Sequence, residues 1–143
     1  MWSGPGSEAD GTVVIDREFW AATLSALREE VLTAAAAAGL SRDRSIDVML
    51  AAHELAANVI RHGSGRGRLC LRVTARALSC QVSDVRTAAL PGLVDRHQTW
   101  PVEHGHGLWL VRKTADQVQV TAGPAGSVVS MTFNLPTATL PTA

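Results

Sequence analysis

Glu54 and Asn58 stand four residues apart in the segment His53-Glu54-Leu55-Ala56-Ala57-Asn58-Val59-Ile60-Arg61-His62-Gly63. On a helix that spacing stacks a carboxylate over a carboxamide one turn away, and Arg61 and His62 continue the same side. A carboxylate can take a proton and a carboxamide oxygen can ligate a hard cation, so the pair suits a metal–nucleotide site built on a helix. Ile46, Leu50, Ala57 and Ile60 recur at the helical period and are expected to face the core. Gly63 is expected to end the helix in a left-handed cap. A lone Glu–Asn pair is more often solvent-facing decoration, so the assignment needs support from elsewhere in the chain.

Two later segments supply it. Gly105-His106-Gly107-Leu108-Trp109-Leu110-Val111 sets two glycines before an expected short helix, where backbone N–H groups can approach phosphate oxygens; a tight turn would need the same glycines. Asp84 ends an alternating apolar segment and can accept from an exocyclic amine such as that of adenine, or simply start a turn. Together Glu54, Asn58, Asp84, Gly105 and Gly107 offer a candidate base, a metal ligand, a purine acceptor and a phosphate cradle. His97, His104 and His106 lie close in sequence but match no metal-ligand spacing. Cys70 and Cys80 are too few for a structural zinc site and read as reduced, buried thiols.

These residues must be positioned by one domain, since 143 residues suit a single core. Thirteen basic and thirteen acidic side chains cancel, leaving no global field to favour nucleic acid or a membrane surface. The alanine-rich run from Leu32 to Leu40 is too short to cross a bilayer, and the N-terminus lacks the basic and apolar regions of a signal peptide. A cytoplasmic protein is expected. Residues 1–11 read as a disordered N-terminal segment, 12–136 as the domain and 137–143 as a tail.

Within the domain, Thr12 to Ile15 reads as a strand, and Asp16 as the cap of a helix reaching about Ala38, with Trp20, Leu24, Leu27 and Val31 on its buried face and Gly39 as its stop. Ser41 or Asp43 caps a second helix ending at His62. A glycine-rich basic loop, Gly63 to Gly67, follows. Leu69 to Val73 and Leu78 to Val82 alternate as a hairpin turning near Arg76, and Gln117 to Thr121 with Ser127 to Asn134 make another. Thr87 to His104 has no period and is a candidate lid; Leu108 to about Ala115 is a short helix with Trp109 on its apolar stripe. The order implies an α/β (α+β) two-layer sandwich, a mixed, largely antiparallel sheet covered on one face by helices.

With these residues in view, the chain resembles the Bergerat-fold ATPases shared by gyrase, histidine kinases and MutL, and is most similar to the anti-sigma-factor serine/threonine kinases of bacteria. The likeness rests on Glu54-Leu55-x-x-Asn58-x-x-Arg61-His62-Gly63, Asp84 and Gly105-x-Gly107-Leu108-x-Leu110-Val111, and runs over about residues 12 to 136. It implies ATP and magnesium as cofactors, with Asn58 as the magnesium ligand, Glu54 as general base, Asp84 on adenine and Gly105 and Gly107 under the phosphates. Ser127, after Gly126 where relatives often have Gly-Thr, would help hold the adenine edge. It also implies protein partners, a sigma factor and an anti-sigma-factor antagonist, and a homodimer. One departure stands out: the family's Asp-x-Gly-x-Gly is here Asp84-Val85-Arg86-Thr87-Ala88, and Arg86 or His104 would have to replace lost backbone contacts to phosphate. The alternative is a non-catalytic protein-binding module with a degenerate nucleotide site.

Overall fold

The structure is a computed structural model that describes residues 11–84, 106–123 and 126–136. The lid 87–104, Gly105, Arg86, His97 and His104 lie outside the described residues, as do residues 1–10 and the tail.

Strand β1 (Thr12–Phe19) overruns the short strand expected there, and Asp16 caps no helix. Asp16 sits in the strand opposite Cys70, where its carboxylate accepts from Arg68 Nε at 2.7 Å and Nη2 at 2.9 Å. Arg17 pairs with Glu30 at 2.8 Å and Glu18 with Arg66 at 2.9 Å. Charges in a row imitate the first turn of a helix, but an edge strand can carry them because much of it faces water. Only Ile15 and Phe19 of β1 are buried.

A 3-10 turn, Ala21–Thr23, then leads into helix α1 (Leu24–Ala37). Thr23 Oγ accepts from the Trp20 N–H at 3.0 Å. Trp20 is not core: it is 40% exposed, with the Arg66 guanidinium 5.0 Å over its ring. The buried face of α1 is Leu27, Val31 and Ala35, and the chain leaves the helix through Gly39, whose φ of 107° is a conformation glycine adopts without a Cβ penalty.

Helix α2 (Arg42–His62) is capped by Ser41 rather than Asp43, its Oγ accepting from the Arg44 N–H at 3.2 Å. Its buried face differs in phase from the expected stripe. Val48, Ala51, Ala52, Leu55, Ala56 and Val59 are buried, whereas Leu50 is 41% exposed and Ile46, Ala57 and Ile60 are only partly covered. The helix packs on α1, on β2 (Gly67–Val73) and β3 (Ala77–Asp84), and on α3 (His106–Thr114). Small alanines on the inward side admit that close packing, while the larger apolar side chains that drew the sequence reading sit at its margin.

The sheet is completed by β4 (Gln117–Gly123) and β5 (Gly126–Asn134) in the order β1-β2-β3-β5-β4, with every recorded pairing antiparallel. The helices lie over the face carrying Leu69, Leu71, Leu78, Cys80, Val82, Val129 and Met131, so the two-layer α+β architecture is as the sequence implies. Arg44 ties the far end of α3 down: it donates to Thr114 O at 2.8 Å, pairs with Asp116 at 3.1 Å and lies 5.1 Å over the Phe133 ring. Trp109 on α3 is 60% exposed with Lys113 Nζ 4.7 Å from its ring, which removes it from the core. Among the described residues no helix is long and apolar enough to cross a membrane.

Candidate functional site

Helix α2 brings Glu54 and Asn58 to one side but in different environments. Glu54 keeps 30% of its side chain exposed and has Arg61 Nη2 3.9 Å away. Asn58 is 3% exposed, and its Nδ2 is buried without a hydrogen-bond partner among the described residues. Buried amides are nearly always paired, because an unmet donor costs about 1–3 kcal/mol. An unmet amide donor on the helix that carries the candidate base is a place where a ligand's acceptor could be met, although His53 Nδ1 and Gln81 Nε2 are left open in the same way among the described residues.

The next segment explains the glycines. Gly63 is not a left-handed cap: its φ is −103° and the positive φ, 88°, belongs to Gly65. Gly63 is needed for close approach instead. A Cβ there would lie 2.6 Å from Asp84 Oδ2 and 2.8 Å from Val59 O, the carbonyl that accepts from both Gly63 N–H at 2.9 Å and Gly65 N–H at 3.2 Å. The glycines on either side let Ser64 turn onto Asp84. Its N–H donates to Oδ1 and Oδ2 at 3.2 and 3.3 Å, and its hydroxyl contacts Oδ1.

Asp84 is 5% exposed at the end of β3, level with Gly67 of β2. Its face is the inward one, shared with Leu78, Cys80 and Val82, so it points toward the helical layer. Continuing the register past the last recorded β3–β5 pair, Ser83 with Val128, sets the half-buried Ser127 level with Asp84 on the same face. Gly107 lies inside α3 as its second residue rather than ahead of it. The structure therefore assembles Asp84 with the end of α2, sets Ser127 beside it, and places Glu54 and Asn58 on that same helix. Gly105 lies outside the described residues. The sequence reading missed Ser64. The signal was a serine between two glycines directly after the helix, which read only as a basic loop.

Magnesium takes few protein oxygens when phosphates complete its shell, so one buried carboxamide is an adequate holder and the residues present fit a nucleotide with its metal. Among the described residues no three His, Cys, Asp or Glu side chains gather as a metal cluster of their own. His53 precedes Glu54 on α2 and lines a crevice with Leu24, Leu27 and Arg28 of α1; its Nδ1 is buried without a partner among the described residues, and burial, with Arg28 and Arg61 nearby, outweighs Glu54 and holds its pKa below 6.5. The two cysteines face opposite sides of the sheet, since Cys70 pairs with Gln81 and Leu71 with Cys80. Cys80 is fully buried, which pushes its thiol far up, whereas Cys70 is half-buried, not buried as expected. A cleft of ≈ 670 Å³ lined by Arg68, Arg72 and Gln81 opens on that other face, away from Asp84.

A family model described as "Histidine kinase-like ATPase domain" matches residues 20–133, a span holding every candidate site residue above. No curated protein matches the chain.

Proposed function

The chain belongs to the histidine kinase-like ATPase domain family, and from that premise we propose that it binds ATP with magnesium and acts in the cytoplasm as an anti-sigma regulatory factor with serine/threonine protein kinase activity. Its protein substrate is an anti-sigma-factor antagonist, its second partner is a sigma factor, and it works as a homodimer.

The observation that carries the nucleotide site is the buried Asn58 side chain one turn from Glu54, its Nδ2 without a partner among the described residues. In this reading Asn58 supplies the oxygen that holds magnesium, and the metal, when bound, neutralises phosphate charge. Asp84 and Ser127 hold the adenine edge, and Gly105 and Gly107 let the backbone lie under the phosphates. Glu54, partly exposed and therefore within reach of a protein substrate, takes the proton from a serine or threonine hydroxyl. That oxygen bonds to the γ-phosphorus, the bond to the β–γ bridging oxygen breaks, and ADP departs; positioning and charge neutralisation do most of the catalysis.

A second reading is favoured by one feature: no glycine follows Asp84 until Gly92. On that reading the domain captures a regulatory protein without turnover. Labelled γ-phosphate separates the two. Transfer to a candidate antagonist that is abolished by Glu54→Ala, in a variant whose circular dichroism is unchanged, supports the kinase; no transfer and no thermal shift at millimolar Mg-ATP overturns it.

A further inference from the structure

Ser64 holds Asp84 twice. Ser64 donates its backbone N–H across both carboxylate oxygens, and its hydroxyl sits between Asp84 Oδ1 and Arg66 O, the latter 2.9 Å away. The hydroxyl has one proton, and an ionised carboxylate is the stronger acceptor, so the proton goes to Asp84. Gly63 lets the backbone come close to this carboxylate, since a Cβ there would lie 2.6 Å from Oδ2. Gly65, at φ 88°, turns the chain so that Ser64 can reach. A side chain so held has one orientation in place of several.

We infer that Ser64 is a positioning residue that fixes the Asp84 carboxylate for purine recognition and thereby sets the preference for adenine over guanine. The inference rests on the nucleotide-site reading given above. A carboxylate accepts from the exocyclic amine of adenine and is repelled by the carbonyl oxygen that guanine presents at the same place. That contrast is sharp only if the carboxylate cannot swing away. With the hydroxyl gone, the backbone N–H still tethers Asp84 but one torsion is released, so adenine loses a well-aimed acceptor and guanine loses part of its repulsion.

The test compares ADP and GDP binding, each with magnesium, by isothermal calorimetry on the full chain and on Ser64→Ala and Ser64→Thr. Wild-type protein is expected to prefer ADP. Ser64→Ala is expected to weaken ADP binding about tenfold, on the scale of one hydrogen bond to a charged group, and to shrink the ADP-to-GDP ratio at least as much. Ser64→Thr, which keeps the hydroxyl, restores the ratio. A simple loss of fold stability would lower the melting temperature without changing base preference. An unchanged ratio in a folded Ser64→Ala overturns the inference alone. If Ser64→Ala does not fold, Ser64→Cys, which keeps the size with a weaker donor, must show an intermediate ratio or the inference fails. Wild-type protein that binds neither nucleotide overturns the nucleotide-site reading itself, and this inference with it.

Discussion

Replacing Asn58 with leucine is expected to stabilise the protein while destroying its nucleotide site. Asn58 is 3% exposed, and its Nδ2 finds no partner among the described residues. An unmet buried donor costs about 1–3 kcal/mol in the ligand-free fold. Leucine has nearly the same size, lacks the donor and adds apolar burial of about 1.5–3 kcal/mol. Its different branching against Leu55 and Val59 takes back about 1–3 kcal/mol as strain. The last two offset each other, so the net gain is about 1–3 kcal/mol, a rise in Tm of roughly 2–10 °C for a chain of this size. Differential scanning calorimetry with and without Mg-ATP reads both effects. At a hundred times Kd, nucleotide should add about 2.7 kcal/mol to wild-type protein and nothing to Asn58→Leu. A variant that melts lower than wild type and still shifts with Mg-ATP would refute the argument, because Asn58 would then be an ordinary core amide.

Gly63→Ala is expected to lose about 1–3 kcal/mol in urea unfolding, since its Cβ would press on a hydrogen-bonded backbone carbonyl and a buried carboxylate that have little room to retreat. Gly39→Ala, with no atom within 4 Å but a φ of 107°, is expected to cost about 1 kcal/mol from backbone strain alone. The two substitutions thus separate steric from conformational need for glycine. Stability should also depend on His53. Its folded pKa lies below the 6.5 of the unfolded chain, so as pH falls past 6.5 the unfolded state binds the proton first, and stability that is complete above 6.5 is lost toward the lower folded value. Tm measured from about pH 8 to about pH 5 should fall in wild-type protein and flatten in the same window in His53→Gln.

Sequence periodicity alone located the strands near 69–73, 78–82, 117–121 and 127–134 and the helix ending at His62, because alternation and the 3.6-residue repeat survive wherever one face is buried. It also singled out Glu54, Asn58 and Asp84, because unusual residue types at helix and strand ends are visible without coordinates. It failed at β1, where the edge position lets Asp16, Arg17 and Glu18 pair with Arg68 on β2, Glu30 on α1 and Arg66 in the loop before β2. It failed again at Trp20 and Trp109, both exposed beside a cation, since a periodic apolar position does not reveal whether another layer covers it.

What residue order determined here is local: which segments coil, which extend, and which polar groups stand at their ends. What only the tertiary structure decided is the company those groups keep. Burial left Asn58 Nδ2 without a partner among the described residues, and the meeting of the α2 terminus with β3 gave Ser64 its hold on Asp84, twenty positions away. The reason is physical: spacing along one element fixes direction, whereas burial and hydrogen bonding depend on surfaces contributed by elements that are remote in sequence.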